Sequence, residues 1–180
     1  MKTRNQRLLW SAFISLYFNL PCLAQSQTKP IRQDALSCLK VAAFGGAGAV
    51  TGSQNRGIAQ LGASLSCTPP DILFGIELEG GYVGGFANNS GKAAIFSVNY
   101  KPSWTLNSCT QGACAIAFAT AGYTQLFGTG NALNYGVGME YFFATQPRAI
   151  RLEVRDYQTF GIPNQHNVAL RAGFLWVLGD

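Results

Sequence analysis

Charged residues are scarce in this chain of 180 residues. They make up 12% of the sequence, about half the share usual in soluble proteins, whereas apolar residues make up 48%. Methionine is also rare, with 2 copies against 21 glycines, 12 phenylalanines and 7 tyrosines. This composition excludes a disordered chain, a coiled coil and most cytosolic helical enzymes.

Several motifs that would carry chemistry are missing. After the first segment, Gly, Asn, Glu or Arg interrupts every apolar run before it reaches the roughly 20 residues of a transmembrane helix. No run of Lys or Arg is present to bind nucleic acid, and no CxxC or other ligand spacing predicts a metal site. The Gly-rich stretch at 45–48 is not followed by GK[ST], so it predicts no phosphate loop. We therefore expect no metal and no cofactor.

The first 24 residues have the three parts of a secretory signal peptide. Three basic residues lie among the first seven, the stretch from Leu8 to Leu20 is almost wholly apolar, and Ala24 offers a small residue for cleavage. A membrane anchor is the rival interpretation, but the apolar run is too short for one. We predict a signal peptide at 1–24, a flexible periplasmic lead-in at 25–38 and a single domain at 39–180. Cleavage leaves 10 basic against 8 acidic residues, a charge of +2.

The domain alternates in side-chain character with a period of two, which indicates β-strands. Asn167 to Leu178, for example, places large apolar residues at even positions, while Asn167, Ala169, Arg171 and Gly173 fall at odd ones. Seven turn clusters divide the domain into eight such segments. The first segment, Leu39 to Val50, and the fifth, Ala113 to Phe127, alternate weakly because they are rich in Gly and Ala, so their register is poorly specified.

The charged residues fall on the same face as the small ones. Four glutamates and four cations share that face. A solvated surface would not need equal numbers of opposite charges. Ionised groups that are buried must be paired, so the pattern favours a barrel whose large apolar residues meet lipid and whose lumen holds the charges. The predicted lumen charge cluster consists of Glu77, Glu79, Lys101, Glu140, Arg151, Glu153, Arg155 and Arg171.

Aromatic residues gather toward the two ends of the predicted strands. Core aromatics would scatter more evenly, whereas aromatic rings prefer the two interfaces of a membrane. The predicted aromatic belts are Tyr82, Tyr123, Tyr135 and Phe160 at one rim, and Tyr100, Trp104, Tyr141, Phe143 and Trp176 at the other.

These features resemble the small eight-stranded outer-membrane barrels of the OmpA/OmpX type. The segments Tyr135 to Tyr141 and Arg151 to Tyr157, with His166-Asn167-Val168 opening the last strand, are similar to the closing strands of such proteins. The resemblance implies an all-β, eight-stranded, antiparallel up-and-down transmembrane barrel in the outer membrane of a Gram-negative-type bacterium. It also implies that both termini face the periplasm, with short outer loops at 51–56, 83–91, 128–131 and 161–165.

Four cysteines remain after the predicted cleavage site, and an even number in an exported protein suggests disulfides. Three pairings are formally possible. The topology implied by the resemblance brings Cys38 and Cys67 to one rim, and places Cys109 and Cys114 on either side of a turn at that rim. It therefore implies the pairs Cys38–Cys67 and Cys109–Cys114.

The sequence predicts no enzymatic activity. Some outer-membrane barrels are lipid A deacylases with a catalytic Ser and His, but no serine lies two residues after His166, the one histidine of the chain. We expect a monomer with a structural or interaction role, outer-membrane lipid as its surroundings and other envelope components as candidate partners. Two alternatives stay open: a narrow pore lined by the Glu and Arg residues, and a soluble periplasmic binder of an apolar ligand, similar to lipocalins.

Overall fold

The computed structural model of the protein describes residues 39–51, 56–67, 74–85, 92–106, 113–128, 130–143, 146–161 and 166–178. The predicted signal peptide and lead-in lie outside these residues, as do Cys38, Cys109 and most of the predicted turns. Among the described residues, no helix is long and apolar enough to cross a membrane.

The described chain forms nine strand segments. They are β1 (Leu39–Thr51), β2 (Arg56–Cys67), β3 (Ile76–Gly84), β4 (Lys92–Tyr100), β5 (Ser103–Thr105), β6 (Cys114–Leu126), β7 (Gly130–Phe142), β8 (Arg148–Thr159) and β9 (His166–Leu178).

The sheet closes on itself as an eight-stranded antiparallel barrel. Each strand pairs with its neighbours in the chain, and β1 pairs with β9 over the full length from Leu39↔Leu178 to Thr51↔His166. The segments β4 and β5 both pair with β6, so they act as the two halves of one strand in the wall. This architecture confirms the fold predicted from the alternation.

Lys101 and Pro102 separate β4 from β5. Proline has no N–H to contribute to the strand ladder, but the neighbouring backbone groups still form hydrogen bonds to adjacent strands. The N–H of Lys101 donates to the carbonyl of Gly75 at 2.7 Å, and the carbonyl of Pro102 accepts from the N–H of Ala119 at 3.0 Å. The wall therefore remains continuous across the break.

The strands differ slightly from the predicted segments. The outer loop expected at 83–91 is shorter, because Val83 and Gly84 still pair with Ala93 and Lys92. Phe143 and Phe160 lie just beyond the ends of β7 and β8.

Large apolar side chains cover the outside of the barrel. Leu61 is 70% exposed, and Val137 and Leu170 are each 63% exposed. The inward positions of the same strands are buried, as in the strict alternation along β4 and β8. The barrel is therefore apolar outside and packed with side chains inside, the inverse of a soluble barrel.

Glycines on the inner wall make room for the aromatic rings of the adjacent strand. A Cβ on Gly138 would collide with the ring of Phe118 and with the carbonyl oxygen of Leu152. A Cβ on Gly62 would likewise approach Cζ of Phe44 to 2.6 Å. Close packing of this kind tolerates few added atoms.

We predict that Gly138→Ala destabilises the barrel by about 1–3 kcal/mol, because an added methyl group overpacks the lumen. Gly80→Ala is the matched control, since a Cβ at Gly80 has no atom within 4 Å. That variant should be neutral or more stable by about 0.5–1 kcal/mol, since alanine loses less backbone entropy on folding. Urea unfolding in lipid vesicles measures both. Equal stability of the two variants would contradict the packing argument.

Candidate functional site: the charged lumen

The structure places all eight residues of the predicted lumen charge cluster inside the barrel. Each is 2% exposed or less, although each carries an ionisable group. They come from β3, β7, β8 and β9 and from the β4–β5 junction, so the cluster spans the lumen rather than following one strand.

Glu77 is the centre of the lumen charge cluster. Its carboxylate accepts hydrogen bonds from both terminal nitrogens of Arg151 and from Arg155 Nη2 at 3.0 Å. Lys101 Nζ lies 3.6 Å away, and Asn99 Nδ2 donates at 3.3 Å. Three cations thus surround one carboxylate, which is how a buried charge becomes tolerable.

Two further carboxylates extend the cluster toward β9. Arg151 Nη2 donates to Glu153 at 2.8 Å, and Arg155 Nε donates to the other oxygen of Glu153 at 2.6 Å. Arg171 Nη2 donates to Glu79 at 2.8 Å, while Arg155 Nη1 lies 3.3 Å from the same oxygen. Arg151 bridges two carboxylates and Arg155 bridges three, which the planar fork of the guanidinium permits.

Lys40 is an additional member that the sequence reasoning missed. It lies on the inner face of β1, is 4% exposed and contacts Glu140 at 3.4 Å. Glu140 also receives a short hydrogen bond from Lys101. The weak alternation of the first segment concealed Lys40, because neither face of β1 is distinctly polar.

Aromatic rings inside the lumen support the cations. Arg171 lies over the ring of Phe44 at 3.6 Å, and Lys101 and Arg151 each lie 4.6 Å from the ring centre of Phe118. Cation–π contacts gain strength where water is excluded. The two rings therefore help to stabilise charges that have left water.

Apolar clusters lie on both sides of the charged centre. This corrects the expectation that only polar or small residues fill the lumen. β6 inverts the expected pattern, since Ile116 and Phe118 point inward while its alanines face out. The inner apolar cluster, at the rim where the chain enters and leaves the barrel, consists of Ala42, Cys114, Ile116, Phe142, Ala149, Leu175 and Val177. The two outer apolar clusters consist of Val83, Ile95, Leu126, Ala132 and Tyr157, and of Val50, Ile58 and Ala169.

The predicted belt residues lie on the outside of the barrel near its two rims. Seven of the nine are between 41% and 53% exposed, and Phe143 and Trp176 are half-buried. Tyr141 and Phe143 meet edge to face with ring centres 6.0 Å apart, and Tyr123 lies 6.4 Å from Phe160. Phe74 adjoins Tyr100 at 5.5 Å, a neighbour that the sequence reasoning did not include.

A polar cluster on the outer wall was also missed. Asp156 accepts hydrogen bonds from Tyr135 Oη at 2.7 Å and from the backbone N–H of Asn167 at 3.1 Å, and its Oδ2 lies 2.7 Å from His166 Nδ1. We call Tyr135, Asp156 and His166 the outer-wall cluster. It joins β7, β8 and β9 near the rim whose belt contains Tyr82, Tyr123, Tyr135 and Phe160, and only the pairing register reveals it.

The two described cysteines are both disulfide-bonded, Cys67 at the end of β2 and Cys114 at the start of β6. Because Cys38 and Cys109 lie outside the described residues, the predicted pairs Cys38–Cys67 and Cys109–Cys114 stay predictions. Among the described residues, no group of three His, Cys, Asp or Glu side chains is placed to hold a metal ion.

No family model matches the chain, and no curated protein matches it in sequence. Solved structures do match. Neisserial surface protein A superposes with a TM-score of 0.54 at 12% identity, over 78% of this chain and 97% of its own. Ail, the attachment invasion locus protein of Yersinia pestis, gives 0.51 at 13% identity over 79% and 99%.

This chain has the fold of the small outer-membrane barrels. The outer membrane enzyme PagL shares it as well, with a TM-score of 0.51 at 14% identity over 76% of this chain and 99% of its own. These neighbours therefore include an enzyme as well as surface proteins, and the fold alone does not decide the function of this barrel.

We predict that Glu77→Gln destabilises the barrel by about 3–5 kcal/mol, because it leaves the three surrounding cations without their shared carboxylate. Glu140→Gln is the comparison, since Glu140 contacts two lysines whose flexible ammonium groups can move toward other partners. Glu140→Gln should therefore lose less stability than Glu77→Gln. Urea midpoints in vesicles give both values, and a larger loss for Glu140→Gln would contradict the central role of Glu77.

A second prediction concerns the outer-wall cluster. Asp156→Asn should lower the unfolding free energy by about 1–3 kcal/mol, because it removes a charged acceptor of three hydrogen bonds. Tyr135→Phe removes one of these bonds and should cost less. Gln158→Ala, an exposed position on the same face of β8, serves as control and should be nearly neutral. If Asp156→Asn matches the control, the cluster contributes nothing to stability.

Proposed function

We propose that this protein is an integral outer-membrane β-barrel of a Gram-negative-type bacterium with a structural or interaction role, its lumen plugged by paired Glu, Arg and Lys side chains. The observation that carries the proposal is the inverted distribution of side chains, with apolar residues outside and ion pairs inside.

The exterior matches a lipid environment. Residues such as Leu61, Val137 and Leu170 would be costly in water, since each exposes most of a large apolar side chain. Apart from the short β5, the strands of the wall hold 9–13 residues, close to the length that a tilted strand needs to cross the hydrocarbon core. This arrangement disfavours the lipocalin-like alternative, in which the apolar face would line the lumen.

The interior disfavours the narrow pore. The lumen of an eight-stranded barrel is about as wide as the side chains that fill it. Here Glu77, Arg151 and Arg155 meet across it, and apolar clusters lie on both sides. An ion crossing the barrel would have to break several buried pairs and pass an apolar layer, both of which are unfavourable.

We assign no catalysis to the barrel. The ring of His166 contacts Asp156 and Tyr135, and within the described residues no Ser or Thr hydroxyl bonds to that ring. An activated nucleophile needs such a base within reach. We propose that the barrel is a monomer in lipid and that other envelope components are its partners.

Val137→Arg tests the lipid-facing assignment. Val137 lies near the middle of β7 and points outward, so a charge there should destabilise a membrane barrel by about 2–4 kcal/mol. Gln158→Arg, near the outer end of β8, is the control and should cost about 1 kcal/mol or less.

Fractionation and gel mobility complete this test. The wild-type protein should require detergent for extraction and migrate differently on gels before and after heating, as folded membrane barrels do. A soluble protein would be extracted without detergent and would tolerate Val137→Arg as well as the control. That result would overturn the proposed location.

A further inference from the structure

The outer-wall cluster brings three side chains that can bind a metal ion to one point. Tyr135 Oη and His166 Nδ1 each lie 2.7 Å from Asp156 Oδ2, and Oη and Nδ1 lie 3.3 Å from each other. Imidazole nitrogen and carboxylate oxygen are common ligands of transition metals, and tyrosine oxygen ligates iron in some haem proteins. Three donor atoms from three strands therefore form a closed triangle.

The triangle has nearly the size of one face of a metal ion's coordination shell. Nitrogen and oxygen ligands lie about 2.0–2.2 Å from a zinc ion, and at angles of about 90–110° such ligands lie about 2.8–3.6 Å from one another. The three sides of 2.7, 2.7 and 3.3 Å are close to this range. Small rotations of the side chains would therefore place all three atoms around one ion.

Hydrogen bonding accounts for only two sides of this triangle. The hydroxyl of Tyr135 and the Nδ1–H of His166 can both donate to Asp156 Oδ2. No proton then remains for the side between Oη and Nδ1. A single cation, by contrast, would contact all three atoms, with Nδ1 bound in the tautomer that carries its proton on Nε2.

The pairing of the strands holds the three side chains in place. Tyr135 on β7 is the register partner of Asp156 on β8, and Gln158, two residues along β8, is the register partner of His166 on β9. The second oxygen of the carboxylate, Asp156 Oδ1, accepts the backbone N–H of Asn167 at 3.1 Å. A hydrogen bond of this kind orients a ligating carboxylate, here with Oδ2 toward the triangle.

The outer-wall cluster is also accessible, unlike the carboxylates of the lumen. The side chain of His166 is 38% exposed, that of Asp156 is 14% exposed, and Tyr135 is 43% exposed. Within the described residues, Asp156 forms an ion-pair contact with His166 and with no Lys or Arg. Its carboxylate is therefore available to a cation from outside the barrel.

We propose that the outer-wall cluster binds one divalent transition-metal ion, Cu²⁺ or Zn²⁺, through His166 Nδ1, Asp156 Oδ2 and Tyr135 Oη. Cu²⁺ binds mixed nitrogen and oxygen sites most tightly among the first-row divalent ions, whereas Ca²⁺ and Mg²⁺ prefer oxygen ligands. The remaining coordination positions face outward and are open to water at this rim. The sequence predicted no metal because these ligands lie 10 and 21 residues apart and only the pairing register joins them.

Copper binding by the folded full chain, free of any affinity tag, tests the site. The protein in detergent micelles is stripped with EDTA and titrated with Cu²⁺, and its electron paramagnetic resonance is recorded. Because His166 is the one histidine of the chain, coupling to imidazole nitrogen reports on it alone. We expect one such Cu²⁺ per barrel, binding at least about tenfold weaker in Asp156→Asn, and a smaller loss in Tyr135→Phe. Gln158→Ala, the control, should bind like the wild type.

Binding without imidazole coupling would overturn the site. Equal affinity of the wild type, Asp156→Asn and Tyr135→Phe would also overturn it, because a solitary surface histidine would give that result. Zn²⁺ supplies a second measurement, since a ion that binds the folded state stabilises it. Zn²⁺ should raise the urea midpoint of the wild type and leave that of His166→Gln unchanged, and an equal response of the two proteins would contradict the site. Neither experiment bears on the membrane location, which Val137→Arg and detergent extraction test separately.

Discussion

The pairing of charges across a narrow lumen is the constraint on which the rest of this barrel depends. Closing eight strands leaves an interior that side chains fill, so each inward residue must find a partner there. Glu77 on β3 meets Arg151 and Arg155 on β8, on another side of the wall. The ion pairs therefore act as cross-links between distant strands, and removing one partner leaves a buried charge uncompensated.

The same constraint explains where glycine is needed. The rings of Phe44 and Phe118, which support cations, lie over the adjacent strand, where their register partners have no space for a Cβ. Gly62 faces the ring of Phe44, and Gly138 faces the ring of Phe118. Large and small residues are thus matched through space rather than along the sequence. A chain rich in both Gly and Phe is consistent with this packing.

The fold was predictable because most strands alternate clearly between large apolar and small or charged residues. That alternation also separates the two faces of β8 and β9. It fails in β1, where alanine occupies both faces, and in β6, where alanine faces outward and larger residues face inward. The alternation could therefore not show that Lys40, Phe44 or Ile116 points inward. The sequence pattern did not reveal the outer-wall cluster for a different reason. Its members come from three strands, and only the pairing register brings them together.

The distribution of acidic residues bears on the proposed interaction role. Of the five acidic residues in the described part of the chain, four point into the lumen and are occupied by ion pairs. Asp156 is the fifth, and it lies on the outer wall with Tyr135 and His166. Because the central charges pair with one another, the proposed envelope partner would meet mainly the apolar exterior and the rims. Among the described residues, exposed polar groups such as the outer-wall cluster would then supply its selectivity, since an apolar surface alone distinguishes poorly between lipid and protein.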